Sequence, residues 1–189
     1  IAESASEGRV GQQQIETRPL LRPGEVLEVV PGVIVTQHSG SGKANQYFLR
    51  GFNLDHGTDF SSFVDGVPIN FPTHAHGQGY MDLNWLIPEL IDYVTFRKGP
   101  YYADVGDFSS VGTAAFHLVK TLPTGLAQVG IGQDDYYRVL VAQTPKIGPG
   151  HLLYAFEANF YNGPWDHNEH VRKFNGVLKY SLKIGRAHV

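Results

Sequence analysis

Two segments of the chain alternate side chain by side chain. In the first, Leu152, Tyr154, Phe156, Ala158 and Phe160 interleave with Leu153, Ala155, Glu157 and Asn159. In the second, Phe174, Gly176, Leu178, Tyr180 and Leu182 interleave with Asn175, Val177, Lys179, Ser181 and Lys183. A period of two belongs to a β-strand, whose side chains point to opposite faces in turn. A polar connection at 162–173 joins the two segments, a tight turn at 145–150 precedes them, and weaker segments lie near 125–133 and 136–144. Strands of about 9–11 residues with one apolar, aromatic face and alternately short and long connections are the pattern of a transmembrane β-barrel. The edge of a soluble sandwich alternates in the same way. The alternation alone therefore leaves both architectures open.

Composition narrows the remainder. Hydrophobic residues make up 42% and aromatics 12%, enough for a sizeable core, while 22 glycines and 11 prolines suit short strands and turns better than a helical bundle. The net charge of -3, with no long run of either sign, gives no footprint for nucleic acid. Cysteine is absent, which excludes disulfides and thiolate metal sites. No stretch approaches the roughly 18 apolar residues of a membrane-spanning helix.

Ahead of the alternating region the texture is different. Residues 1–21 are polar and weakly patterned, a tail with at most one edge strand. Pro23 suits a first helical turn, Val26, Leu27 and Val30 share a face, and Pro31 ends the helix. Short strands are expected at 32–37, 46–52, 60–64, 67–69, 93–97 and 113–119, with a helical turn at 88–91. Asp65 and Gly66 form the strongest short hairpin signal in the chain. Residues 70–86 read as a long loop. The expectation is a small α+β domain with a mixed sheet and short helices.

Four motifs in this region follow one another over about 95 residues. A short helix ends in Val30-Pro31-Gly32-Val33. Leu49-Arg50-Gly51-Phe52 is an Arg-Gly strand. Val64-Asp65-Gly66-Val67-Pro68 is an Asp-Gly hairpin. The run from Ile91 through Lys98-Gly99-Pro100 precedes the glycine-rich Val111-Gly112-Thr113-Ala114-Ala115-Phe116. In this order the motifs resemble the plug domain of TonB-dependent outer-membrane receptors, and alternating strands are what that family places next. Asp92 stands where the family usually has a glutamate. The N-terminal box gripped by the energy-transducing partner is not recognisable.

The resemblance implies a plug at 1–121 and the first antiparallel strands of an incomplete transmembrane β-barrel at 122–183. The family's barrel has roughly 22 strands, and this chain supplies about four. It also implies a function without covalent chemistry: active uptake of a scarce nutrient across the bacterial outer membrane, with the plug gating the lumen and its apical loops contacting ligand. The partners would be the TonB-type inner-membrane complex, a small nutrient such as a siderophore-like metal chelate, and outer-membrane lipid. No cofactor is implied. Arg50, Gly51, Asp65, Gly66, Gly99 and Pro100 are the structural plug positions, and the arginine matching Arg50 tends to pair with carboxylates of the barrel wall.

The most suggestive polar cluster is His74-x-His76, with Tyr80, Asp82 and His56 not far away in sequence. On an extended segment His-x-His can aim both rings to one side, and imidazole is a common ligand for zinc, nickel, copper and iron. His74, His76 and Tyr80 are thus candidate ligand contacts, and His74 and His76 candidate metal ligands. The glycine-rich loop with His38, Ser39, Ser41, Lys43 and Asn45 lacks phosphate-loop spacing. It reads as a second apical loop, with His38 and Lys43 as contacts. Tyr101, Tyr102, Asp104, Asp107 and Phe108 read as tight turns with packing aromatics. Residues 165–170 read as a variable outward loop. A metallohydrolase using His74, His76 and Asp82 would need ligands converging from several elements, and no nucleophile elbow or carboxylate pair accompanies them. An enzyme is not expected. The competing function is a soluble, plug-like periplasmic module for ligand binding or signalling.

The final hexamer, Ile184-Gly185-Arg186-Ala187-His188-Val189, matches a common sequencing adapter translated in frame (ATC GGA AGA GCA CAC GTC). It is set aside from fold reasoning, and the chain is expected to be a fragment.

Overall fold

A computed structural model describes residues 4–185. The last four positions of the terminal hexamer lie outside the described residues. The chain divides into two compact units, the first ending at Leu118 and the second beginning at Val119.

Among the described residues the first unit holds eight strands: β1 (Glu7–Gly11), β2 (Val33–Thr36), β3 (Gln46–Leu49), β4 (Phe52–Asn53), β5 (Phe60–Val64), β6 (Val67–Pro68), β7 (Ile91–Lys98) and β8 (Gly112–Leu118). Five form a mixed sheet in the order β1-β7-β8-β5-β6, in which only the β5–β8 pair is parallel. The other three form a small antiparallel sheet, β2-β3-β4. Between the sheets and the short helices lies one core, with Val26, Leu27, Leu49, Phe60, Leu83 and Phe116 shut off from solvent. Burying each such side chain contributes about 1.5–3 kcal/mol.

The helix after Pro23 is 3-10, Pro23–Val29, and its start explains its shape. The Glu25 carboxylate accepts from the backbone N–H groups of Leu21 and Arg22 at 2.9 and 3.1 Å. These donors would otherwise be orphaned at a helix start. Two features depart from the sequence expectation. The polar tail contains a short helix, α1 (Gln12–Glu16), anchored by buried Ile15. The Arg-Gly strand at 46–52 is not continuous. Arg50 and Gly51 have φ of 52° and 83°, and Leu49 pairs with Phe52 across them. Two successive positive φ angles in a two-residue loop make a hairpin turn, and Arg50 is exposed at its tip.

The second unit is an antiparallel meander: β9 (Leu126–Ile131), β10 (Tyr137–Gln143), β11 (Lys146–Ile147), β12 (Gly150–Tyr161) and β13 (Val171–Ser181). β12 lies between β10 and β13, β10 pairs with β9, and β11 pairs with the start of β12. The sheet is open, with β9 and β13 at its edges. Facing residues across a ladder share a side of the sheet. Tyr137 faces Phe160, Val141 faces Phe156, and Tyr154 faces Leu178. All six are exposed, so one face is a continuous apolar, aromatic surface. The opposite face carries Leu140, Leu153 and Glu157, all buried. Within it the Glu157 carboxylate accepts from Arg138 Nε at 2.6 Å and Asn175 Nδ2 at 2.6 Å, and lies 3.3 Å from Lys173 Nζ. A buried carboxylate is tolerated when it is paired in this way.

Candidate functional site

Three loops of the first unit converge on one buried imidazole. The turn after β4 carries it. The Asn53 side chain accepts from the Asp55 N–H at 2.9 Å, and Asp55 takes a positive φ of 49°. The chain then turns so that His56 points inward, only 1% exposed. Gly57 follows at φ 112°, where an added Cβ would lie 2.6 Å from the Cβ of Met81. Glycine is required there on both counts.

The second loop runs between β6 and the 3-10 turn at Pro88–Leu90. Its base is pinched by a bridge between Phe71 and Tyr80, and Met81 N–H donates to the His56 carbonyl at 2.7 Å. Buried Asn70 holds the neck. Its amide donates to the carbonyls of Gly57, Phe60 and Gly79 at 3.1, 3.0 and 2.9 Å and its oxygen accepts from Ser62 N–H at 2.7 Å. The third loop, residues 38–45, is tied to the second. Ala44 N–H donates to the Tyr80 hydroxyl at 2.9 Å, and Asn84 Nδ2 donates to the Lys43 carbonyl at 3.2 Å.

These ties bring the candidate residues together. The His38 ring stacks on His56 with centroids 5.1 Å apart, and His76 meets His56 edge-on at 4.6 Å. The His74 ring lies on Tyr80 at 4.0 Å, nearly parallel, and its Nδ1 accepts from the His76 N–H at 3.1 Å. His76 Nε2 is 3.2 Å from Asp55 Oδ2. Lys43 bears on the cluster by charge: burial first, then Lys43 and His76, hold the His56 pKa below its ordinary value, against the opposing effects of the Asn45 carbonyl and Asp55. A neutral imidazole results at neutral pH. Tyr47, buried beneath, is held protonated by its burial and by Asp82 and Tyr80.

His74 and His76 therefore have different surroundings, one resting on Tyr80 and the other facing Asp55 and His56. Asp82 accepts from the Asn84 N–H at 2.8 Å, as a turn-former. Asn45 turns inward, its Nδ2 donating to Gln37 Oε1 at 2.9 Å. Asp55 was not among the sequence candidates, and nothing in its dipeptide with His56 distinguishes it from an ordinary turn.

The remaining motif residues hold the frame. Asp65 and Gly66, at φ 49° and 85°, close the β5–β6 hairpin, and Asp65 Oδ1 accepts from Leu118 N–H at 3.1 Å. Gly99, at φ 99°, donates its N–H to Val111 at 2.7 Å and turns the chain out of β7 before Pro100. Beside it Lys98 is buried and its pKa lowered, by burial first and then by the charge of Arg50. Arg97 pairs with Asp104 through both carboxylate oxygens, at 3.2 and 2.9 Å, and lies over the Tyr102 ring. In the 165–170 loop, Trp165 Nε1 donates to Glu169 at 2.8 Å.

The model of the TonB-dependent Receptor Plug Domain family matches residues 2–113. The chain belongs to this family. Solved structures share the fold of the plug and the strands after it. The ferric enterobactin receptor PfeA of Pseudomonas aeruginosa, solved as a mutant with enterobactin, is 15% identical with a TM-score of 0.62, the match covering 86% of this chain and 26% of the receptor. The copper transporter OprC is 18% identical with a TM-score of 0.63, over 86% of this chain and 25% of the transporter. The ferric yersiniabactin uptake receptor FyuA of Yersinia pestis is 19% identical with a TM-score of 0.62, over 82% of this chain and 24% of the receptor. The chain thus spans about a quarter of the length of these receptors. Its five-stranded mixed sheet is the plug fold, and the open meander stands where their barrels begin.

Proposed function

We propose that this chain supplies the plug and first barrel strands of a TonB-dependent transporter that takes up a metal chelate, siderophore-like, across the bacterial outer membrane. The plug closes the lumen, the loops bearing His38, Lys43, His74, His76 and Tyr80 contact the ligand, and the TonB-type inner-membrane complex supplies the energy to move the plug. The observation that carries this reading is the convergence of three plug loops on a cluster of imidazoles and a tyrosine. Such groups suit a metal-bearing ligand. The exposed aromatic face of β10, β12 and β13 favours contact with outer-membrane lipid over the soluble periplasmic module, since so large an apolar face is rare on a soluble protein. The test is uptake by cells carrying the full-length transporter, with ferric siderophores and copper and zinc chelates offered in turn. Accumulation of one of them should require an intact TonB complex and fall in the His74→Ala/His76→Ala double variant. Uptake that is unchanged in that variant would overturn the ligand assignment, and uptake independent of the TonB complex would overturn the mechanism.

A further inference from the structure

His56 carries an unused lone pair in a buried place. Its Nδ1 lies 2.9 Å from the Asn45 carbonyl oxygen, which can only accept, so the proton sits on Nδ1. In a neutral ring Nε2 is then a bare acceptor. That atom is buried and has no hydrogen-bond partner. What faces it is another acceptor, Asp55 Oδ1, at 3.7 Å. Two lone pairs that face one another with no proton between them repel, and a buried polar atom left without a partner is costly. A cation between them would remove both penalties.

The third group is in place. His76 Nε2 sits 3.2 Å from the other oxygen of Asp55, and one donor atom from each of Asp55, His56 and His76 lies within 4.8 Å of the other two. Two donors bound to one ion at about 2.1 Å each stand about 3.4 Å apart in tetrahedral ligation. The widest pair must therefore close by at most about 1.4 Å. The half-exposed His76 can supply that movement, while His56 is held on one side by the Asn45 carbonyl and on another by the His38 ring. A ligating histidine usually donates its second N–H to a backbone carbonyl, which fixes the ring and raises its basicity. His56 has that arrangement already.

We propose that Asp55, His56 and His76 form a binding site for a bare divalent transition-metal ion of the zinc, nickel and copper class, separate from the contacts made by His74. Two imidazoles and one carboxylate suit this class rather than magnesium or calcium, which prefer all-oxygen sites. Three protein ligands leave positions open, as expected for an ion that is held and passed on rather than sealed in. The inference rests on the transporter reading for its purpose and on the triad alone for its chemistry.

The experiment is a titration of the full chain in detergent micelles with cobalt(II) as a visible-absorbing probe, followed by displacement with zinc. One ion should bind per chain, with d–d bands of mixed nitrogen and oxygen ligation. Loss of an outer-shell partner weakens metal sites by about 10–100-fold, so loss of a ligand in Asp55→Asn or His76→Ala should weaken zinc by at least about 100-fold. Asparagine tolerates the positive φ at 55, and neither change touches the core, so misfolding does not confuse the result. His167→Ala, at an exposed position of the second unit, should leave affinity unchanged. The proposal is overturned if the wild-type chain binds no cobalt or zinc, if Asp55→Asn binds as wild type, or if His167→Ala weakens binding as much as His76→Ala. None of these outcomes disturbs the transporter reading, which is decided by chelate uptake in cells. Conversely, a triad that binds zinc in a chain that transports no chelate would retain this site and discard that reading.

Discussion

The Asn70 side chain donates to the Gly79 carbonyl at 2.9 Å and so joins the two ends of the loop that carries His74 and His76. The same amide also reaches Gly57 and Phe60, and its oxygen takes the Ser62 N–H. One buried side chain therefore satisfies four backbone groups on three segments.

Replacing Asn70 should be costly even where size is kept. Asn70→Asp preserves the acceptor for Ser62 but turns three donated bonds into carboxylate–carbonyl contacts. With each unsatisfied buried group costing roughly 1–3 kcal/mol, a loss of about 3 kcal/mol or more is expected. Urea unfolding of the full chain in micelles, followed by tryptophan fluorescence, would measure it. A change below about 1 kcal/mol would mean that water or another side chain substitutes for the amide.

Gly57→Ala should disturb the site without removing any of its side chains. The new methyl would meet Met81 at 2.6 Å and the Gly79 carbonyl at 3.2 Å, on a backbone with φ of 112°. Strain of this kind costs on the order of 1–3 kcal/mol. Because His56 is the preceding residue, cobalt affinity should fall together with stability, and an unchanged affinity would show that the turn is not what positions His56.

Glu157 offers a test of the second unit. Glu157→Ala leaves Arg138 and Lys173 facing each other across an emptied site. Breaking a buried charge cluster from one side costs about 3–5 kcal/mol. Glu157→Gln should cost less, because it can still accept from Arg138. Equal effects would show that shape, not charge, matters there.

A cation on the aromatic face should oppose insertion. Phe174→Arg places a charge on the surface shared with Phe156 and Phe160, and the cost near the bilayer midplane is about 2–4 kcal/mol. Refolding into liposomes should be impaired while solubility in urea is unaffected. Equal insertion of the two proteins would remove that face from contact with lipid.

The Arg97–Asp104 pair predicts a pH dependence. Hydrogen bonding to Arg97 is the main cause that holds the Asp104 pKa below its ordinary 3.8. A carboxyl depressed in the folded state contributes stability above its unfolded value, and that contribution is lost as pH falls below about 4 and through the folded value. Carboxyl NMR titration should show the Asp104 midpoint rise in Arg97→Gln. Both groups are well exposed, so no measurable change in unfolding free energy at neutral pH is expected.

The frame was legible in the sequence where its cause is local. Alternation in β12 and β13, the Asp-Gly hairpin and the Pro23 helix start each depend on neighbours within a few residues. The break at Arg50 was not legible, because apolar residues flank it closely at Tyr47, Phe48, Leu49 and Phe52 and Arg-Gly is not a usual hairpin pair. The site was legible only in part. His74, His76 and Tyr80 share one loop, so their proximity follows from the chain. The grouping of His76 with Asp55 and His56, about 20 residues earlier, is imposed by the Asn70 and Met81 hydrogen bonds across the fold.

The parallel pairing of β5 with β8 sets an order of assembly. Its two strands are separated by everything between Val64 and Gly112, including the loop that carries His76. Bringing such distant segments together must be accomplished before the pairing gives any return, which makes it a late and slow event. Until the last plug strand arrives, the five-stranded sheet lacks its central strand. A nascent chain would therefore carry Asp55, His56 and His76 before the sheet that frames their domain is complete.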